Sequence, residues 1–171
     1  MHINPYGEDP VRLAISLAAD FPASAAELVA RCRAAGVEIP PGDVDLADVR
    51  AFLTDWLGVV DAPDDETRAA RLNVLLAEAS AYPRLTNHAS DGWHVHYRAA
   101  DLPLAGVLRA LIGVGTALHL TGRGMHRLGR CAVVDCARPF ADVSRTGRQR
   151  YCSPACANRD AVRRHRDRVA S

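Results

Sequence analysis

Four cysteines fall between positions 131 and 156, spaced C-x4-C-x15-C-x3-C within the stretch CAVVDCARPFADVSRTGRQRYCSPACANR. No other feature restricts the folding of this chain as tightly. Two close pairs separated by a dozen or more residues let each pair ride on its own small loop while all four sulfurs converge. Zn²⁺ takes four such donors at the corners of a tetrahedron. Cys131 and Cys136 are expected on a loop. Phe140 to Ser144 and Gln149 to Tyr151 are expected to pair as a hairpin with Thr146-Gly147 in its turn. Ser153-Pro154 reads as a helix start, a hydroxyl cap followed by proline in the first position. Cys156 then lies in the first helical turn and Cys152 just before it, where the helix dipole favours a thiolate.

Knuckle, hairpin and a helix that donates the last ligand make the layout of a treble-clef zinc finger. Four cysteines close the coordination shell, so one structural zinc is expected rather than a catalytic one with an open position. A nucleophile with a base, a phosphate loop and paired acids in a motif are all missing, and the expectation is a protein that is not an enzyme. The same thiols are compatible with a redox device that ejects zinc on oxidation.

The end of the cluster, Cys156-Ala-Asn-Arg159, with the upstream C-x4-C pair and the Phe140-x-Asp142-x-Ser144 element, resembles the CGNR zinc-finger family. Ala157 stands where the family signature has Gly, a change that suits a helix interior. The resemblance is close over Cys131 to Arg168 and looser over residues 1–122, where it rests on a hairpin followed by a long apolar helix. It implies an α-rich, ABATE-type N-terminal domain and a role in transcription regulation.

Charge is segregated along the chain. Residues 1–122 carry nine arginines against sixteen carboxylates, a net of −7, while residues 123–171 carry twelve arginines against four aspartates, a net of +8. Four thiolates on one Zn²⁺ bring the tail to about +6. Such a basic segment suits an anionic partner, or docks on the chain's own acidic body. At about 100° per residue, Arg159, Arg163 and Arg166 share a face of the last helix, with Asn158, Arg164 and Arg168 beside it. Arg145, Arg148 and Arg150 add a second row. Guanidinium forks match phosphate oxygens and guanine, and Asn158 matches adenine. The expected partner and interface are therefore DNA with Asn158, Arg159, Arg163, Arg164, Arg166, Arg145, Arg148 and Arg150. Asn158 and Arg159 alternatively brace the finger beside its ligands. The rival functions are RNA binding and docking on an acidic protein.

The first 122 residues read as helices with one hairpin, so the fold class is mainly α (α+β): an α-rich domain over 1–122 and a zinc-finger domain over 126–171. Pro10 to Ala19 is the first helix. Ser24-Ala-Ala-Glu27 is a capping box for a helix that Gly36 stops. Asp45 caps a helix with an apolar stripe at Leu46, Val49, Leu53, Trp56, Leu57 and Val60. Asp64, Asp65 and Glu66 start another, with Leu72, Leu75, Leu76 and Ala79 buried. Trp93, Val95 and Tyr97 alternate with His94, His96 and Arg98 as a strand, paired with Arg84 to His88 through an Asp91-Gly92 turn. His94 and His96 share a face that His88 faces, read as a polar strand face rather than a metal site. From Asp101 a largely apolar helix runs to Thr121, and Gly113 and Gly115 are expected to allow close packing. His119 and His126 read as helix-end residues and Cys32 as a buried thiol. The segment from Leu102 to Leu120 is read as too short and too polar to span a bilayer. No secretory signal is visible, so a cytoplasmic location is expected, without membrane contact. A homodimer through Trp56, Trp93 or the hairpin edge is expected to double a one-finger footprint, and an unknown small-molecule effector beneath the hairpin is a further expectation.

Overall fold

The computed structural model describes residues 7–87 and 93–169, apart from the side chain of His94. The readings made on His88, on the His94 side chain and on the Asp91-Gly92 turn lie outside the described residues.

Capping chemistry sets the helix starts. Glu8–Ala19 (α1) carries Glu8 and Asp9 in its first turn. Ala25–Ala34 (α2) is capped by Ser24, whose hydroxyl accepts from the Glu27 amide at 3.2 Å while the Glu27 carboxylate accepts from the Ala23 amide at 2.9 Å. Asp45 accepts from the Asp48 amide at 2.9 Å to start Leu46–Val60 (α3), and Asp64 accepts from the Thr67 amide at 2.7 Å to start Asp65–Ala79 (α4). Each cap satisfies an amide that the first turn leaves without a partner. Two short antiparallel strands follow, Arg84–Thr86 (β1) and His94–His96 (β2), with Leu85 opposite Val95. Leu104–Arg123 (α5) comes next, ended by Gly124 at φ 118°.

The core gathers around α5, which packs against α1, α3 and α4. Leu17, Leu28, Phe52, Trp56, Leu108, Ile112 and Leu120 are fully buried within it. Trp56 is thus a core residue and not a dimer contact. Its stripe at i, i+3, i+4 already places it inward, and its indole N–H donates to Thr116 Oγ1 at 3.0 Å, which donates in turn to the Ile112 carbonyl at 2.7 Å. His119 is fully buried as well, with Nε2 3.4 Å from the Arg127 carbonyl, and burial lowers its pKa below the ordinary histidine range despite that contact. It is a core histidine rather than a helix-end one, because α5 continues past it to Arg123 and the chain then folds back to bring the Arg127 carbonyl to its ring.

By length and composition α5 does pass for a membrane-spanning helix, contrary to the sequence reading, but 67% of its apolar window is buried inside the fold. Its charged interruption has a local explanation: the Arg109 guanidinium lies 5.3 Å from the Phe52 ring and pairs with the Asp48 carboxylate. The two glycines differ. A Cβ on Gly115 would sit 2.5 Å from Pro10 Cβ, so α1 crosses α5 at a contact only glycine admits, whereas a Cβ on Gly113 would meet Leu76 Cδ2 at an ordinary 3.6 Å.

The C-terminal segment is built onto this body. Leu128–Arg130 (β3) and Pro139–Ala141 (β4) pair antiparallel, and Pro154–Val169 forms the last helix (α6). Leu128 and Ala141 join the main core. Buried Arg68 of α4 donates to the carbonyls of Val59 and Val60 at 3.1 and 3.2 Å and to that of Met125, tying the end of α3 to the entry of β3. Arg130 makes a two-pronged pair with Asp61, each N–O distance 2.7 Å.

Gly115→Ala is expected to cost about 1–3 kcal/mol, since helix backbone and Pro10 must part. Gly113→Ala is expected to stabilise by up to about 1 kcal/mol through helix propensity. Urea unfolding of the zinc-loaded chain measures both, and shifts of the same sign would contradict the α1–α5 contact.

Candidate metal centre and nucleic-acid interface

The two cysteine pairs sit at two kinds of chain reversal. Cys131 leaves β3, its amide donating to the Arg138 carbonyl at 2.9 Å, and Cys136 closes a tight turn by donating to the Val133 carbonyl at 3.0 Å. Ala137 follows at φ +48°, unusual for a residue with a Cβ, and its carbonyl accepts from Arg130 at 3.0 Å. Cys152 precedes α6 and Cys156 lies in its first turn, where its amide donates to the Ser153 hydroxyl at 3.3 Å.

All four sulfurs lie within 4.8 Å of one another. Cys152 is 3.6 Å from both Cys136 and Cys156, and Cys136 and Cys156 are 3.7 Å apart. A Zn–S bond of about 2.3 Å puts tetrahedral sulfurs about 3.8 Å apart, so the cluster fits Zn²⁺ with little adjustment. Cys32 is buried elsewhere among α-helices, and burial pushes its thiol up to about 11. In the metal-free cluster the Ser153 hydroxyl draws Cys156 down to about 7, whereas burial and the neighbouring sulfurs push Cys152 up to about 12.

The link between the pairs differs from the sequence reading. The chain from 140 to 151 does not zip into a hairpin; β4 pairs instead with β3 across the first cysteine pair. The physical reason is Asp142. Its buried carboxylate accepts from the Ser144 amide at 2.8 Å, the Ser144 hydroxyl at 2.5 Å and the Gln149 amide at 2.9 Å. Those amides are the ones a ladder would need. Arg127 completes the loop, donating to the Ser144 carbonyl at 2.6 Å beside Gly147 at φ +69°. Burial alone would raise the Asp142 carboxyl, but these hydrogen bonds and Arg127 hold it below the usual range. The segment at 150 still bonds to the knuckle, with the Ala132 amide donating to the Arg150 carbonyl at 2.8 Å.

A second buried carboxylate anchors α6. Asp160 accepts from Tyr151 Oη at 2.7 Å and pairs with Arg163 at 2.8 Å and Arg164 at 2.9 Å. Arg163, then Tyr151, hold its carboxyl down at about 2. Arg159 lies 3.4 Å from Asp135 on the knuckle, the bracing geometry weighed for it, though both side chains are more than half exposed. Asn158, Arg145, Arg148, Arg166 and Arg168 have no hydrogen-bond or ion-pair partner among the described residues, and the Arg150 guanidinium lies 5.9 Å from the Tyr151 ring. Asn158, Arg159, Val162, Arg163, Arg166 and Asp167 line one shallow groove of about 390 Å³ along α6; Arg164 and Arg168 face a different recess, which Asp167 also borders. Every residue from Ala161 to Val169 is exposed. Arg127, Asp142 and Asp160 are the residues that sequence reading passed over as site builders. The run Asp-Val-Ser-Arg-Thr-Gly, rich in turn formers, was the available signal for Asp142.

A knuckle on a hairpin, a side-chain-organised loop and a helix that supplies the final sulfur define a treble-clef zinc-binding module with one structural Zn²⁺. Residues 127–169 match the model of the CGNR zinc finger, a span that contains all four clustered cysteines. The match leaves the helical body outside it, and no curated protein matches the chain.

Zinc displaces thiol protons, that of Cys152 above all, so apparent affinity is expected to rise with pH from about 7 toward about 12, the values of Cys156 and Cys152; competition with a chromophoric chelator reads this. Cys136→Ser should release the metal and unfold residues 131–156 while leaving α1–α5 helical. Asp142→Ala should cost roughly 2–4 kcal/mol, because two amides lose their acceptor inside the loop; thermal unfolding of the zinc-loaded variant measures it. The Asp142 contribution is complete above the ordinary carboxyl value near 4 and fades as pH falls through its lowered folded value.

Proposed function

We propose that this protein is a DNA-binding transcription regulator of the cytoplasm, non-catalytic, in which the zinc finger aims α6 into the major groove of duplex DNA. One observation carries the reading: α6 leaves the finger at Asp160 and runs nine further residues with every side chain exposed. A helix that buries no face against its own fold is a protruding rod. With side chains it is about 10–12 Å across, the width of the major groove, about 12 Å. Its cations and those of the loop make the rod's surroundings positive. Arg145 and Arg148 are exposed on the Asp142-organised loop, suited to gripping phosphates while the helix lies between strands.

One finger offers a small footprint, and a homodimer would double it. Leu85 and Trp93 are 70% and 74% exposed, and Val95, opposite Leu85, is 39% exposed, an apolar strip on a two-stranded ribbon that is marginal alone. That strip supports pairing of two chains through the N-terminal hairpin.

Duplex affinity of the zinc-loaded chain is expected to fall with salt on a log–log plot, and Arg145→Ala and Arg148→Ala should each flatten the slope by about 1. Removing zinc should abolish binding. A salt-independent signal, or preference for RNA or an acidic polypeptide over duplex DNA in competition, would sink this reading. Leu85→Glu with Trp93→Glu should convert a dimer into a monomer in sedimentation.

A further inference from the structure

We infer that Asn158, Val162 and Arg166 are the side chains of α6 that read base identity, and that their target is a short duplex step containing both an A·T and a G·C pair. The inference rests on the DNA-binding reading above. It begins from which groups on the helix are already committed. Arg163 and Arg164 both serve Asp160, which is only 6% exposed. Pulling either away to a base would strip a buried carboxylate of a partner, and an unpaired buried charge is costly. Arg159 is turned toward Asp135 of the knuckle. The arginines that sequence periodicity puts on the reading face are therefore largely occupied within the finger.

Asn158 and Arg166 are exposed and have no polar partner among the described residues, and Val162 is 50% exposed. These three recur every fourth position and line the same groove. At a rise of about 1.5 Å per residue they span about 12 Å of helix, the length of three to four base-pair steps. Their chemistry is complementary and non-redundant. A side-chain amide pairs with the donor and acceptor of adenine, an aliphatic side chain packs on the thymine methyl, and an unpaired guanidinium forks onto the two acceptors of guanine. Arg145, Arg148 and Arg168 then contribute affinity without sequence preference.

The test is selection from a randomised duplex library with the full zinc-loaded chain, run beside Asn158→Ala, Asn158→Gln, Val162→Ala, Arg166→Ala and Arg148→Ala. Zinc content confirms that each variant keeps its finger. The wild type should enrich adenine and guanine within four base pairs. Asn158→Ala and Val162→Ala should relax the A·T position and Arg166→Ala the G·C position, each by roughly 10- to 100-fold. Asn158→Gln should keep part of the adenine preference, and Arg148→Ala should weaken all sequences alike. A wild-type motif retained by all three alanine variants, or salt-dependent binding with no motif, overturns this assignment and leaves DNA binding standing. Failure of the wild type to retain any duplex overturns both.

Discussion

The convergence of four sulfurs is the constraint on which the C-terminal third depends. Cys131 and Cys136 belong to one chain reversal and Cys152 and Cys156 to the start of a helix, and none of the four belongs to the hydrophobic core cluster of the described residues. A structural zinc can contribute 10 kcal/mol or more to folding such a segment. Here the ion does not act alone. Leu128 and Ala141 lend the finger a share of the helical core, so the ends of the strand pair that flanks the first two ligands are anchored to the body as well as through the metal.

Two carboxylates do for the arginine-rich tail what zinc does for the thiols. The tail has twelve arginines and four aspartates. Asp142 and Asp160 are the two that are buried, and each sits at a junction: one gathers the loop amides and Arg127, the other gathers Tyr151, Arg163 and Arg164. Dense hydrogen bonding and the neighbouring guanidinium charges keep both ionised against the desolvation that burial imposes. The arrangement sorts the cations into those that hold the finger together and those left facing solvent, a division that periodicity alone does not reveal.

What could be read from the residues divides along the same physical line. Local signals were legible: Ser24 and Asp45 as caps, the acidic run Asp64 to Glu66 as a helix start, the Val49–Leu53–Trp56–Val60 stripe, the paired cysteine spacing, and Ser153-Pro154 as the start of α6. These depend on neighbours a few positions away. The hairpin expected from Phe140 to Tyr151 was not formed because one buried aspartate outcompeted the strand ladder for its amides. His119 read as a helix end because nothing in its neighbourhood announces that the turn ending at Arg127 will fold back onto it. No local pattern marks Arg68 or Arg127 as structural, since their carbonyl partners are distant in sequence or in an irregular loop.

The join between body and finger explains why a boundary in composition need not be a hinge. The charge sign changes near residue 123, yet the contacts across that point are several and of different kinds. Leu128 is buried in the helical core, Arg130 clasps Asp61 at the end of α3, and Arg68 bridges α3 to Met125. Arg123 reaches back to Glu8 of α1 and forward to the Val143 carbonyl. Relative rotation would have to break an apolar contact, a two-pronged ion pair and backbone hydrogen bonds together. The acidic excess of the body is thereby used in part at the joint, through Glu8 and Asp61, while the α6 ion pairs among the described residues are all to aspartates of the tail itself, Asp135, Asp160 and Asp167.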